Sequence, residues 1–138
     1  MNDKIKLIGE WYFECNGIRE GPFFNAFPPE GLEDVAALIH DVPSPFLVVG
    51  DDTAAGFAIT EVFRKPVSAV TRDQALVRFR TQLLTSECNG DHQKACIYTR
   101  AANTPETGRL LNMLTQPWSK TAQMILTVEC KITVSEAV

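Results

Sequence analysis

The clearest pattern in the chain lies near its end. Met124, Leu126, Val128, Cys130, Ile132 and Val134 alternate with Thr127, Glu129, Lys131 and Thr133. That two-residue period predicts a long strand with one buried and one wet face. Near the start, Ile5 to Cys15 reads as a strand with aromatic enrichment at Trp11-Tyr12-Phe13. Asn16-Gly17 separates it from a second apolar run, Ile18 to Phe27. Asn-Gly between two such runs marks a hairpin, because both central residues of a type I′ turn need positive φ. Pro22 has no N–H to give to a ladder, so the second strand belongs at an edge or carries a bulge near Gly21.

Helical spacing appears next. Pro28-Pro29-Glu30 opens a helix whose apolar face is Leu32, Val35, Ala36 and Ile39, and Pro43 and Pro45 stop it. Phe46 to Val49 reads as a short buried strand, and Gly50-Asp51-Asp52 as a turn. Phe57 to Arg64 is apolar on both faces, as in a central strand, and ends at Pro66. Thr71 and Gln74 have the spacing of a capping box, and Leu76, Phe79 and Leu83 form a stripe, so a helix is predicted over 71–86. The rival reading is a strand, since Val77, Phe79, Thr81 and Leu83 alternate with Arg78, Arg80 and Gln82. Lys94 to Arg100 reads as a strand. Thr104-Pro105-Glu106 opens a third helix with a Leu110, Leu111, Leu114 face, terminated by Pro117.

These elements predict a single α+β domain over residues 1–138. It would have a five- to six-stranded, mostly antiparallel sheet with about three helices packed mainly on one face, in a ferredoxin-like arrangement. The long last strand and the aromatic hairpin exceed what one small sheet covers, which predicts a homo-oligomer, a two-fold dimer in its simplest form. Net charge is −4 and no basic stripe stands out, so neither nucleic acid nor an anionic membrane is an expected partner. The first residues, MNDKIKLIGEW, carry charges where a signal peptide needs an apolar core, and no apolar run reaches membrane-spanning length. Four scattered cysteines read as free thiols in a reducing compartment, so a cytoplasmic location is expected.

Candidate chemistry is sparse. Glu-Cys-Asn-Gly occurs twice, at 14–17 and 87–90, which suggests one turn chemistry used twice or, alternatively, a duplicated unit. Cys88, His92 and Cys96 are zinc-type ligands, but the tight cysteine pairs of structural sites are missing and a fourth ligand would have to come from Cys130 or Cys15. No metal or other cofactor is expected. Glu61 sits inside an apolar run, where a carboxylate held away from water needs a partner or an upward pKa shift. Its candidate partners are Arg64, Arg78, Arg80 and Arg100. The expected ligand-binding set is Glu61, Arg64, Arg100 and His40, although His40 also suits a helix C-terminus. Asp51-Asp52 could hold a cation but suits a capped turn better. No Gly-rich phosphate loop, Gly-x-Ser-x-Gly elbow or His-Glu-x-x-His motif is present.

Trp11-Tyr12, then Asn16-Gly17, then Gly21-Pro22-Phe23 resembles the opening hairpin of GYF-type adaptor domains. That resemblance implies binding of proline-rich peptides on an aromatic surface, with Trp11 and Tyr12 as the residues that carry over. The second part of the signature, a tryptophan and a Gly-Tyr-Phe on and after the helix, is missing. Three functions are therefore weighed. The first is a binding or accessory protein with a small-molecule or partner pocket between sheet and helices. The second is a cofactor-independent enzyme using Glu61 or His40 as general base. The third is an interaction module using Trp11, Tyr12 and Phe23.

Overall fold

Apolar residues on both parities of a short run need cover on both faces of a sheet, and the fold is arranged around one such run. The computed structural model describes residues 2–137, with the side chains of Asn2, Asp3, Trp11 and Asn25 outside the described set. In chain order the elements are β1 (Asn2–Leu7), β2 (Gly9–Cys15), β3 (Ile18–Asn25), α1 (Pro29–His40), β4 (Phe46–Gly50), β5 (Glu61–Pro66) and β6 (Ala69–Asp73). β7 (Leu76–Leu83), β8 (Gly90–Thr99), β9 (Arg109–Lys120) and β10 (Leu126–Glu136) complete the fold. β4 is buried along its whole length.

The strands form three sheets. One has the order β1-β10-β7-β6, a second has the order β5-β4-β8-β9, and β2-β3 form a separate hairpin. The two larger sheets face each other through Leu47 and Val49 of β4, Ala95 of β8 and Leu83 of β7. The rest of the β10-β7 inner face is covered by α1, where Ala36 meets Val77, Phe79, Ile132 and Val134. On the far side of β4, Phe46, Val48 and Cys96 pack with Ile59, Ala101, Tyr98 and Met113. Burying a large aliphatic or aromatic side chain contributes about 1.5–3 kcal/mol, so these three clusters hold the fold together.

The α+β, ferredoxin-like expectation is overturned: the described residues are mostly strand, with one helix and three sheets. Of the three expected helices only α1 forms. Its N-terminus is held by the Gly31 and Leu32 N–H groups donating to the Pro28 carbonyl, and its Leu32, Val35 and Ile39 stripe packs as the spacing predicts. The segment 71–86 forms the β6–β7 hairpin instead. Asp73 pairs with Leu76, and Gln74 takes the positive φ of 54° that a two-residue loop needs. β7 lies between β10 and β6, and pairing on both edges outweighs a local capping pattern.

The segment 104–116 becomes a loop and the edge strand β9. The Thr107 hydroxyl donates to the Thr104 carbonyl at 2.7 Å, closing Thr-Pro-Glu into a turn. Gly108 follows at φ +96°, where a Cβ would sit 2.7 Å from that of Ala101. Pro117 is tolerated because β9 is an edge and the register slips there. His92 faces Trp118 and Lys94 faces Thr115, so Pro117 sits in a bulge. Two smaller expectations also change. Ile5 to Cys15 is two strands broken at Ile8. Phe57 to Thr60 is loop with Phe57 exposed, so β5 is an edge strand rather than a central one.

The two Glu-Cys-Asn-Gly segments are not equivalent. Asn16 and Gly17 both have positive φ in a two-residue hairpin loop. In the second copy Cys88, not Asn89, takes the left-handed conformation. The shared sequence therefore reflects turn-forming residues rather than a duplicated unit. No helix among the described residues is long and apolar enough to cross a membrane.

Candidate functional site

Glu61 and Arg64, three residues apart on β5, form a forked ion pair. Arg64 Nε donates to Glu61 Oε2 and Nη2 donates to Oε1, each at 2.7 Å. Their side chains are 9% and 5% exposed. Arg64 Nη1 also donates to the Ala102 carbonyl at 2.7 Å and the Thr107 hydroxyl at 2.9 Å. Glu61 accepts the Glu106 N–H at 3.3 Å. The Arg64 guanidinium holds the Glu61 carboxyl below its ordinary range against the opposing effect of burial. A general base near neutrality needs the opposite shift. The pair instead ties the 101–107 loop to β5.

His40 and Arg100 do not join that pair through any hydrogen bond or ion pair among the described residues. His40 closes α1 and contacts Asp41 through Nδ1 at 2.7 Å. Arg100 is exposed at φ 53°, and its backbone N–H donates to the Pro43 carbonyl. The expected four-residue ligand set is thus three separate features. Arg78 and Arg80 lie on the outer face of β7 beside Glu129.

A second polar cluster was not expected. Lys94 is fully buried on β8, where its ammonium donates to Asp52 Oδ2 (2.8 Å) and to the carbonyls of Ala54 (2.9 Å) and Ala58 (2.6 Å). Asp52 also accepts the Thr60 N–H at 2.6 Å. Lys94, followed by that backbone bond, pulls the Asp52 carboxyl down to about 2. Lysine and aspartate together draw the 51–60 loop onto the sheet, and Gly50 gives Ile59 room to approach.

Next to it, His92 stacks on Trp118 with ring centroids 4.7 Å apart. His92 Nδ1 lies 2.8 Å from Asp51 Oδ1, and Nε2 lies 2.9 Å from the Cys88 carbonyl and 3.4 Å from its sulfur. These groups have the order of a Cys-His-Asp triad but not its chemistry. The Cys88 carbonyl, which can only accept, lies closer to Nε2 than the sulfur does, so Nε2 is not aimed at the thiol alone. Burial and the Asp51 charge also push the Cys88 thiol up to about 11. The cluster staples the 84–90 turn to the 51–60 loop. Cys88 packs in the cluster between the sheets, whereas Cys96 packs in the cluster on the far side of β4. The zinc arrangement therefore does not assemble, and no metal-binding group of three or more such ligands occurs among the described residues.

The remaining feature is the β2–β3 hairpin. It is its own sheet, paired with neither larger sheet. Phe13 is 62% exposed, Ile18 69% and Phe24 70%, and Ile8, Tyr12 and Phe23 are exposed as well. Phe13 and Phe23 rings meet at 5.9 Å on one face, while the Arg19 guanidinium sits 3.8 Å over the Tyr12 ring. A concavity of about 520 Å³ at the tip is lined by Phe13, Glu14, Cys15, Asn16, Ile18 and Glu20. Of the expected interaction residues, Tyr12 and Phe23 are exposed together; the Trp11 side chain lies outside the described residues.

Phe13, Ile18 and Phe24 were not singled out from the sequence, although a signal existed. Tyr12-Phe13 and Phe23-Phe24 are adjacent aromatics, and adjacent strand residues point to opposite faces. A ribbon of two strands with aromatics on both faces cannot cover itself. The GYF-like pattern is confined to this hairpin. Comparison with protein-family models, with curated proteins and with solved structures finds no match to this chain.

Proposed function

We propose that this chain is a non-catalytic, homo-oligomeric accessory protein that assembles through its β2–β3 arm. The observation that carries the reading is the exposure of five large apolar side chains on a ribbon that, among the described residues, pairs with neither larger sheet. An isolated two-stranded hairpin is marginal in water, and contiguous apolar patches of this size mark docking surfaces.

The occupant this reading favours is a second copy. The five side chains present roughly 500 Å² of apolar surface over the two faces, taking about 100 Å² for each partly exposed large residue. Two arms packed face to face remove only the facing half of each, about 500 Å² in total, whereas reciprocal docking that covers both faces removes about 1,000 Å² from the arms and about as much from the surfaces they meet, within the range of stable interfaces. The catalytic alternative draws less support from the geometry, since Glu61 is tied up by Arg64 and no cavity among the described residues brings His40 to it. The test is the mass of a Phe13→Asp, Phe24→Asp variant by light scattering, beside the parent chain. A dimeric parent and a folded monomeric variant support the proposal. A variant with the parent's mass contradicts it.

A further inference from the structure

Besides the strands that end each sheet, β10 has an edge that is only partly paired among the described residues. β1 begins its pairing with β10 at Asn2 opposite Lys131, whereas β7 pairs with β10 from Leu126 onward. Among the described residues, Leu126–Glu129 therefore has a strand neighbour on the β7 side alone. A cleft of about 220 Å³ lies there. It is lined by all four of Leu126, Thr127, Val128 and Glu129, with Ala95, Leu114 and Trp118 opposite. Consecutive strand residues face opposite sides, so a cleft touching all four runs along the strand's edge and not over one face. Its inner side is apolar and belongs to the cluster between the sheets. On the outer face of the sheet beside it, Arg78, Arg80 and Lys131 surround the single carboxylate of Glu129 at 3.5–3.9 Å, three cations to one anion. The slot closes where Asn112 Nδ2 meets Cys130 sulfur at 2.9 Å.

The arm has the complementary pattern. Among the described residues β2 has β3 as its only strand neighbour. Phe13 and Glu14 are adjacent and exposed, so they point to opposite faces. Along the arm, Glu10, Glu14 and Glu20 outnumber Arg19, the one cation. We infer that β2 of a second copy adds to the β10 edge at Leu126–Glu129, placing Phe13 between Trp118 and Leu126 and Glu14 against Arg80 and Lys131. This inference deepens the proposed function and rests on it. Strand addition supplies backbone hydrogen bonds, the apolar inner side supplies burial, and the charged outer face fixes which face turns inward. Reciprocal exchange closes the assembly at two subunits.

A charge swap tests the site. Arg80 is 55% exposed, so Arg80→Glu leaves the core intact, and circular dichroism checks the fold. Arg80→Glu and Glu14→Arg alone should each raise the dimer dissociation constant about tenfold, with the double variant returning to within about threefold of the parent. Lys131→Glu with Glu14→Arg repeats the test if the Arg80 variant is poorly folded. Two failures are distinguishable. If Phe13→Asp dissociates the dimer but no charge pair rescues, the arm docks elsewhere and this inference falls while the proposed function stands. If the parent chain is a monomer at every concentration, both fall.

Discussion

Replacing Glu61 by glutamine tests whether the one carboxylate singled out in the sequence is a structural tie. Glutamine keeps the shape but can accept through only one of its two terminal atoms. One of the two 2.7 Å bonds to Arg64 is lost, and an amide N–H₂ is turned toward a guanidinium N–H. The Arg64 charge is left 5% exposed with one glutamine oxygen, the 101–107 loop carbonyls and the Thr107 hydroxyl as acceptors in place of a carboxylate. Removing one member of a buried ion pair costs about 3 kcal/mol. For a chain of this length that lowers Tm by about 9 °C. Differential scanning calorimetry reads the shift, and hydrogen exchange should show faster opening of residues 101–107 than of β8. Glu61→Leu with Arg64→Met should cost less than the two single changes added together. A Tm within about 2 °C of the parent would mean that the pair contributes no more than a solvated surface bridge, and the account of this loop would be wrong.

Other expectations follow from the same geometry. The Asp52 carboxyl is depressed to about 2 by Lys94 and the Thr60 N–H. Its contribution to stability is therefore complete above its ordinary value of 3.8 and is lost as pH falls toward about 2; acid titration of Asp52→Asn should show a shallower loss over that window. Gly108→Ala should destabilise by more than about 1 kcal/mol in chemical denaturation, because φ is +96° and the added methyl meets Ala101. In timed iodoacetamide labelling at pH 7.5, exposed Cys15 should react first. Cys88, raised to about 11, and Cys96, buried and raised to about 12, should label only on unfolding.

What the sequence made legible was governed by how locally each element is determined. The β10 alternation, the Asn16-Gly17 hairpin, the α1 stripe and the buried β4 run each depend on a few neighbouring residues, and each forms where expected. The 71–86 and 104–116 segments failed for one reason. Thr71 with Gln74, and Thr104-Pro105-Glu106, are helix-start patterns that side chains can also use to close turns, and strand pairing from distant segments decided the outcome. Val77, Phe79, Thr81 and Leu83 point inward as the rival strand reading required.

Glu61 was read two ways, as a rim glutamate facing water or as a carboxylate inside a central strand in need of an arginine; it opens an edge strand, yet its side chain is only 9% exposed and is paired with Arg64. The reading of it as part of a pocket shared with His40 and Arg100 was not legible, because their separation depends on loops whose paths no periodicity encodes. Lys94 and Lys120 were passed over, since buried lysines are rare. Lys120 is satisfied by Asn89 Oδ1 at 2.7 Å and by the carbonyls of Thr85 and Thr121.

Sedimentation equilibrium of the unmodified chain over a hundredfold range of concentration goes straight to whether the exposed aromatic ribbon belongs between subunits. Dimerisation through the ribbon gives a mass of twice 15.3 kDa at the upper concentrations, dissociating on dilution. A mass of 15.3 kDa throughout would contradict it.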